Sequence, residues 1–361
     1  TLMAIAGGLA PDVLECPADA LAGYVDQKFL APLDDYLARF PHEELEERAP
    51  DAVWEAARFP GPGGRGRLYA IPSGFSVATL KVRHDLAVKF GYTRDNMPRT
   101  WDELYAMAQA LTDPEEGRYG IGLPKGDRLA ETFHTLLVCA GGRAMEMRSG
   151  KLYAAFDQEP AVLALDFLWK LLRMRWQREG RTCEGVAYTD VDLWYPHKRG
   201  KFLIAFHSMS DRGMMRAADQ TRFLLIPLPA APNGSSVPLL SASYVGLFAG
   251  QRDERVRRAA FDYVWLLGSR EGREAATRTL VDMDSAMLAN PLDLQRFGYV
   301  RELAEFPEGY VEFYRESLRR GRVEPAGPGA AEILRSLNHP VQRVMIADLD
   351  GLSQEDRLAR I

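Results

Sequence analysis

Cysteine is scarce in this sequence, which contains only Cys16, Cys139 and Cys183. No two of them form a CxxC pair, and none lies at metal-ligand spacing from a histidine or from another cysteine. The pattern therefore argues against a metal site and against dithiol redox chemistry. It allows one disulfide at most and leaves one thiol over.

Long apolar runs and an excess of positive charge are also absent. No apolar run approaches the roughly 18 residues of a membrane-spanning helix. The 45 Lys and Arg residues are outnumbered by 50 Asp and Glu residues, for a net charge of −5, which argues against general binding to nucleic acids or to membrane surfaces. The 361 residues, of which 47% are hydrophobic, suffice for a globular protein of two domains.

Catalytic motifs are missing as well. "GGRG" at 63–66 lacks the spacing of a phosphate-binding loop, and "GFSVA" at 74–78 lacks the second glycine of a nucleophile elbow. The charged run "HEELEERAPD" at 42–51 is typical of a solvated helix face. These motifs do not combine a nucleophile, a base and a group that orients them, which argues against an enzyme, and they indicate neither a cofactor nor a metal. A glycan-active α/β enzyme nevertheless stays an alternative.

Strand and helix patterns alternate along most of the chain. "YGIGLP" at 119–124 predicts a strand, and "TWDELYAMAQALTD" predicts a helix in which Thr100 and Glu103 form a capping box. Beyond about residue 280 the patterns are helical, so the whole predicts an α/β protein with largely parallel sheets. The opening "TLMAIAGGLAPDVLE" is typical of the last turns of a helix followed by a strand, and we expect a further segment to precede it.

The stretch "RLYAIPSGFSVATLKVRHDL" at 67–86 alternates apolar and polar residues like a strand, but Pro72, Ser73 and Gly74 interrupt the pattern. The sequence predicts a break in the strand at these three residues. Such a break either forms a bulge or brings backbone and small polar side chains close to a ligand.

Several segments, taken in order, resemble family 1 extracellular solute-binding proteins, the receptors of bacterial ABC importers that include the maltose receptor. The most specific block combines the interrupted strand, the following Asp85-Leu86 and the segment "MPRTWDEL" at 97–104. The remaining blocks are "LMAIAGGLAPDVLE", "FLAPLDDYL", "GKFLIAF" and "PLPAAPNGSS" with the strand and helix that follow it.

The resemblance implies a two-lobe, periplasmic-binding-protein-like α/β fold of type II character, without the family's first strand and most of its first helix. It implies three hinge crossings, near Val77–Leu80, near Ser241–Val245 and between Glu308 and Pro325. The N-terminal lobe would then comprise residues 1–78 and 242–310, and the C-terminal lobe residues 79–241 and 311–361. Hinges of this kind let two lobes close on a solute.

The resemblance also implies a set of solute-binding residues in the cleft between the lobes. Asp211 and Arg212 stand near the position where the family commonly has a tryptophan, so the site is poorer in stacking aromatics and richer in charge than that of the maltose receptor. A mono- or disaccharide, an amino sugar or a polyol phosphate fits such a site better than a long maltodextrin. The implied residues are Glu15, Phe75, Ser76, Glu131, His134, His207, Asp211, Arg212, Ser241, Ser243 and Tyr244.

Under this resemblance, the protein binds a solute and closes around it, and it catalyses no reaction. The protein would be a monomer that captures a small polar solute, a carbohydrate above all, and presents it to the membrane permease of an ABC importer. It would lie in the periplasm or outside the cell, with a lipid anchor as one possibility, and it would not bind nucleic acid. Delivery of the solute to a sensory receptor is an equally open role.

Overall fold

The chain divides into two compact units, each built from three separate stretches. The computed structural model describes residues 3, 5, 7–59, 66–149, 151–189, 193–208, 222–304, 306 and 309–361. Unit 1 comprises Thr1–Ser76, Met145–Tyr153 and Leu240–Ile333, and unit 2 comprises Val77–Ala144, Ala154–Leu239 and Leu334–Ile361.

Helices and strands follow one another along both units, as an α/β fold requires. The strands are β1 (Val13–Pro17), β2 (Arg58–Phe59), β3 (Arg67–Leu68), β4 (Ile71–Arg83), β5 (Tyr119–Pro124), β6 (Met145–Arg148), β7 (Lys151–Ala154), β8 (Arg175–Arg178), β9 (Arg181–Glu184), β10 (Val186–Thr189), β11 (Phe202–Ser208), β12 (Phe223–Ile226) and β13 (Leu240–Leu247). The helices are α1 (Ala18–Asp26), α2 (Asp34–Leu37), α3 (His42–Arg48), α4 (Asp51–Glu55), α5 (His84–Ala87), α6 (Trp101–Ala110), α7 (Leu129–Cys139), α8 (Glu159–Leu172), α9 (Trp194–Lys198), α10 (Glu254–Gly268), α11 (Arg270–Asp282), α12 (Pro291–Arg296), α13 (Val300–Leu303), α14 (Tyr310–Arg320), α15 (Ala330–Ser336), α16 (Asn338–Ile346) and α17 (Gln354–Arg360).

Unit 1 is organised around the antiparallel pair of β1 and β13, with the first half of β4 on the other side of β13. Leu240, Ala242 and Tyr244 are buried whereas Ser241 and Ser243 are exposed, because successive side chains of a strand point to opposite faces. The apolar face joins the core that β4 and helix α10 complete. The largely parallel arrangement predicted from the sequence is therefore wrong for this sheet, in which β13 runs antiparallel to β1.

Unit 2 contains a mixed sheet in the order β12, β4, β11, β5 and β10. β11 and β10 run parallel to β5, and β4 runs antiparallel to β11 and β12. Helix α6 packs so closely on β5 that a Cβ atom at Gly120 would lie 1.7 Å from the carbonyl oxygen of Ala108. A glycine is therefore required where the helix and the strand meet.

Thr100 caps helix α6 as predicted, but the reciprocal hydrogen bond of the predicted capping box falls on a different amide. The Thr100 hydroxyl accepts a hydrogen bond from the amide of Glu103 at 3.2 Å. The Glu103 carboxylate accepts in return from the amide of Arg99 at 2.6 Å, one residue earlier than in a capping box. Both bonds satisfy amides that no helical carbonyl can reach.

Strand β4 is continuous from Ile71 to Arg83, so the break predicted at Pro72, Ser73 and Gly74 is wrong. Proline lacks an amide hydrogen, but the Pro72 carbonyl still accepts a hydrogen bond, from the side chain of Arg48 at 3.0 Å. Ser73 and Gly74 are exposed, and the strand passes from unit 1 to unit 2 between Ser76 and Val77.

Two stretches expected in the C-terminal lobe lie in unit 1. The Met145 amide of the β6–β7 hairpin donates to the Glu324 carboxylate at 3.4 Å. The Leu240 amide donates to the Arg322 carbonyl at 2.8 Å. These bonds place 145–153 and the residues around 322 in unit 1, and the last change of unit falls between Ile333 and Leu334.

The three cysteines are buried free thiols. Burial raises the pKa of Cys16 and of Cys139 to about 12, so neither thiol is reactive at neutral pH. Within the described ranges, no helix combines the length and the apolar character that a bilayer span requires.

Candidate functional site

Three of the implied site residues share one exposed face of unit 1. In the β1–β13 pair, Glu15 lies opposite Val245, and Pro17 lies opposite Ser243. Residues opposite each other in an antiparallel pair point to the same side. Glu15, Ser241 and Ser243 are exposed, so this face presents a carboxylate and two hydroxyls, groups that pair with the hydroxyls of a polar solute. We call these three residues the polar strip.

Phe75 and Ser76 lie next to each other on β4, so their side chains point to opposite faces. Phe75 is half-buried and packs against the core of unit 1. Ser76 is half-buried and is the last residue of that unit. The structure therefore separates these two residues instead of bringing them to one surface.

Tyr244 is part of the packed interior and not of an exposed surface. Its side chain is fully buried, and its hydroxyl donates to the main-chain carbonyl of Val53 at 2.8 Å. Burial raises the pKa of this phenol. In unit 1, its role is to hold helix α4 on the sheet.

In unit 2, Glu131 and His134 lie one turn apart on helix α7 and so share a face. Glu131 is exposed and His134 is half-buried, while the intervening Phe133 belongs to the core. The Thr135 hydroxyl donates to the Glu131 carbonyl at 3.0 Å. The geometry leaves the Glu131 carboxylate available at the surface of this helix.

His207 lies on β11 opposite Thr79 of β4, and its carbonyl accepts from the Thr79 hydroxyl at 3.3 Å. Its ring stacks at 6.1 Å on the ring of His197, whose Nε2 is 3.1 Å from the Leu203 carbonyl. Burial, followed by the nearby charge of His207, lowers the pKa of His197 well below its usual value. Asp211 and Arg212 lie outside the described residues.

Sequence reasoning missed a buried cation in this unit. Lys81 is fully buried on β4, with its ammonium nitrogen 4.7 Å from the ring centroid of Trp194 and 5.8 Å from that of Phe223. Such contacts stabilise a cation away from water. The available signal was a lysine between Leu80 and Val82 in an apolar strand, a position where an exposed lysine is not expected.

Arg83, at the end of the same strand, was missed as well. It is buried and forms a fork with Asp85, with both nitrogen–oxygen distances at 2.8 Å. It also donates to the carbonyls of His197 and Lys198 at 3.2 and 2.7 Å. These bonds fix helix α9 against β4, next to His207.

A metal centre has little support in the described part of the chain. The one group there whose ligand atoms lie close enough for a single ion is His42, Glu46 and Asp51, and all three are exposed. His42 already contacts Glu46 at 3.3 Å, which accounts for their proximity without an ion.

Comparison with known families gives a match over the first part of the chain. Residues 1–165 match the model of a family described as bacterial extracellular solute-binding protein. A protein of Streptomyces antibioticus, described as an uncharacterized lipoprotein in the oleD 5′ region, is 33% identical over 166 residues, which are 45% of this chain and 34% of that protein. The match thus spans about a third of that relative's length.

Solved structures match over nearly the whole chain. An ABC transporter solute-binding protein from Thermotoga lettingae bound with α-D-tagatose superposes with a TM-score of 0.73 and 19% identity, over 99% of this chain and 85% of that one. The chain has the fold of an extracellular solute-binding protein. UgpB from Mycobacterium tuberculosis, in complex with glycerophosphocholine, superposes with a TM-score of 0.71 and 16% identity, over 99% and 85% of the two chains.

The solute-binding fold that the sequence motifs implied is therefore confirmed, as is the family resemblance over residues 1–165. At these sequence identities the solved structures show the fold alone. The site residues implied by the resemblance are not tested by them, and the polar strip, Glu131, His134 and His207 stay candidates.

Proposed function

We propose that this protein is the solute-binding component of an ABC importer and captures a small polar solute, with a mono- or disaccharide as the favoured class. The solute-binding fold supports the general role. The observation that carries the solute class is the polar strip, where Glu15, Ser241 and Ser243 share one exposed face. A carboxylate and two hydroxyls bind sugar hydroxyls through directed hydrogen bonds.

The carboxylate of Glu15 also discriminates between solute classes. It accepts hydrogen bonds from the hydroxyls of a neutral sugar, whereas it repels the negative charge of a phosphate. A polyol phosphate is the second candidate, because one structural neighbour holds glycerophosphocholine. A phosphate would have to be bound by cationic side chains away from the polar strip.

The partner of this protein would be the membrane permease of the importer, which receives the solute without any covalent step. Its place would be the outer side of the membrane. The family described as extracellular and the lipoprotein relative support that location, and the relative supports a lipid anchor. We propose that the protein acts as a monomer.

A panel of solutes tests the proposal. Thermal unfolding is measured with tagatose, maltose, ribitol, a hexose phosphate and glycerophosphocholine at several concentrations, because a ligand of the native state raises the unfolding temperature as its concentration exceeds its Kd. The best solute is then titrated by calorimetry. We expect a sugar to give the largest shift, and a response to the phosphate compounds alone would replace the sugar with the second candidate.

Turnover separates binding from the enzyme alternative. The best sugar is incubated with the protein and analysed by chromatography. We expect the sugar to be recovered unchanged. Hydrolysis that scales with protein concentration, or failure of every solute in a wide panel, would contradict the proposal.

A further inference from the structure

Arg48, at the end of helix α3, connects three segments of unit 1 through its guanidinium. Its Nε donates to the Pro72 carbonyl at 3.0 Å, Nη1 to the Trp265 carbonyl at 2.8 Å and Nη2 to the Val264 carbonyl at 3.0 Å. The side chain is buried, with 7% of its surface exposed. Burial lowers its pKa to about 10, so it remains charged at neutral pH.

The residues around Arg48 favour these three hydrogen bonds. The Val264 and Trp265 carbonyls lie near the C-terminus of helix α10, where the helix dipole favours a cation. The guanidinium carbon lies 5.1 Å from the ring centroid of Trp265. At Gly268, a Cβ atom would lie 2.2 Å from that carbon and 2.4 Å from Nη2, so any larger residue would displace the guanidinium.

Pro72 is the second residue of β4, the strand that continues into unit 2. The four residues that follow it include exposed Ser73 and Gly74 and the implied site residues Phe75 and Ser76. Proline has no amide hydrogen, so it cannot donate a main-chain hydrogen bond at this position. The bond from Arg48 to the Pro72 carbonyl anchors the strand here to helices α3 and α10. A lysine could supply the charge but not the planar fork that reaches three carbonyls.

We propose that Arg48 is a positioning residue for solute binding, which fixes the start of β4 to helix α10 and thereby sets the placement of residues 73–76. The expected effect of Arg48 on solute affinity rests on the proposed function. The anchoring of the strand does not depend on any solute.

Hydrogen–deuterium exchange of the peptide covering 71–76 tests the anchoring. Two variants release the contact in different ways: Arg48→Gln removes the fork, and Gly268→Ala displaces it while the charge stays. Arg270→Gln is the matched control, because Arg270 lines the same cavity as Arg48, is exposed and makes no described bond to β4. We expect exchange at 73–76 to be at least about tenfold faster in the first two variants and unchanged in the control.

Affinity for the best sugar of the panel tests the consequence. We expect Arg48→Gln and Gly268→Ala to weaken binding at least about fivefold, and Arg270→Gln to bind like the parent. A folded Gly268→Ala variant with parental exchange at 73–76 would overturn the proposal even if Arg48→Gln does not fold, and so would equal acceleration in the control. Faster exchange with parental affinity would overturn the positioning role. If no solute binds the parent, the proposed function fails while the exchange result still decides the anchoring.

Discussion

The hydroxyl of Tyr244 donates a 2.8 Å hydrogen bond to the carbonyl oxygen of Val53, and neither residue is exposed. The bond joins β13 to helix α4, two segments nearly 200 residues apart in the chain. Tyr244, which the family resemblance implied as a binding residue, is therefore part of the packing of unit 1.

Tyr244→Phe should therefore lower stability and leave solute binding unchanged. Removing the hydroxyl leaves the buried Val53 carbonyl without this donor, at a cost of about 1–3 kcal/mol. Urea unfolding measures the loss. Tyr263→Phe is the matched control, because Tyr263 is exposed and its variant should unfold like the parent. Weaker binding of the best sugar by a normally folded Tyr244→Phe protein would return Tyr244 to the site.

Glu15→Gln should weaken binding of the best sugar without affecting stability. Hydrogen bonds to a charged acceptor contribute about 1 kcal/mol more than those to a neutral one, so the Kd should rise roughly fivefold to tenfold. Calorimetry measures the change, and Glu271→Gln, at another exposed position of unit 1, should bind like the parent. Equal affinities of the two variants would remove Glu15 from the site.

Asp166→Asn should destabilise unit 2 strongly. The Asp166 carboxylate is buried and lies 2.8 Å from Nε of Arg357 and 3.0 Å from Nζ of Lys170, so it holds helix α17 on helix α8. Loss of one partner of a buried pair costs about 3–5 kcal/mol, and the partial exposure of Lys170 argues for the lower figure. Glu274→Gln, which breaks the exposed pair with Arg278, is the control and should change stability little. Similar urea midpoints for both variants would contradict this.

Stability should fall as the pH is lowered below 6.5, in part because of His197. Burial first, and then the charges of His207, Lys81 and Arg83, lower its pKa in the folded protein. The unfolded chain therefore binds a proton below pH 6.5 that the folded protein does not, and stability rises with pH in that window by up to about 1.4 kcal/mol per unit. Above pH 6.5 this contribution is constant.

His197→Gln isolates the effect. Urea unfolding of the parent and of the variant is compared between pH 5 and pH 7.5, and the dependence on pH should be shallower in the variant. Other groups, including the partly buried His84, whose pKa is also lowered by burial, are common to both proteins. Parallel pH profiles would show that His197 takes up its proton without unfolding.

Local patterns in the sequence are enough to predict several elements of this fold. Strand β5 occupies the predicted residues, and Thr100 caps helix α6 as predicted. Both depend on interactions within a few residues, which the order of residue types determines. The sequence reasoning did not predict the β8–β9 hairpin, because the charged residues around its turn hide the strand pattern. In the structure, Glu179 and Gly180 have positive φ angles of 51° and 75°, a geometry typical of a two-residue hairpin turn.

Tertiary structure alone decided which polar groups face solvent. Ser243 and Tyr244 are neighbours on β13 and looked equivalent as candidates, yet one is exposed and the other buried. The difference arises because a strand directs alternate side chains to opposite faces, and distant segments determine which face is covered. Arg48 and Lys81 are a second example, because their residue types predict exposed side chains. Arg48 is buried where it donates to the carbonyls of residues 72, 264 and 265. Lys81 is buried against the rings of Trp194 and Phe223.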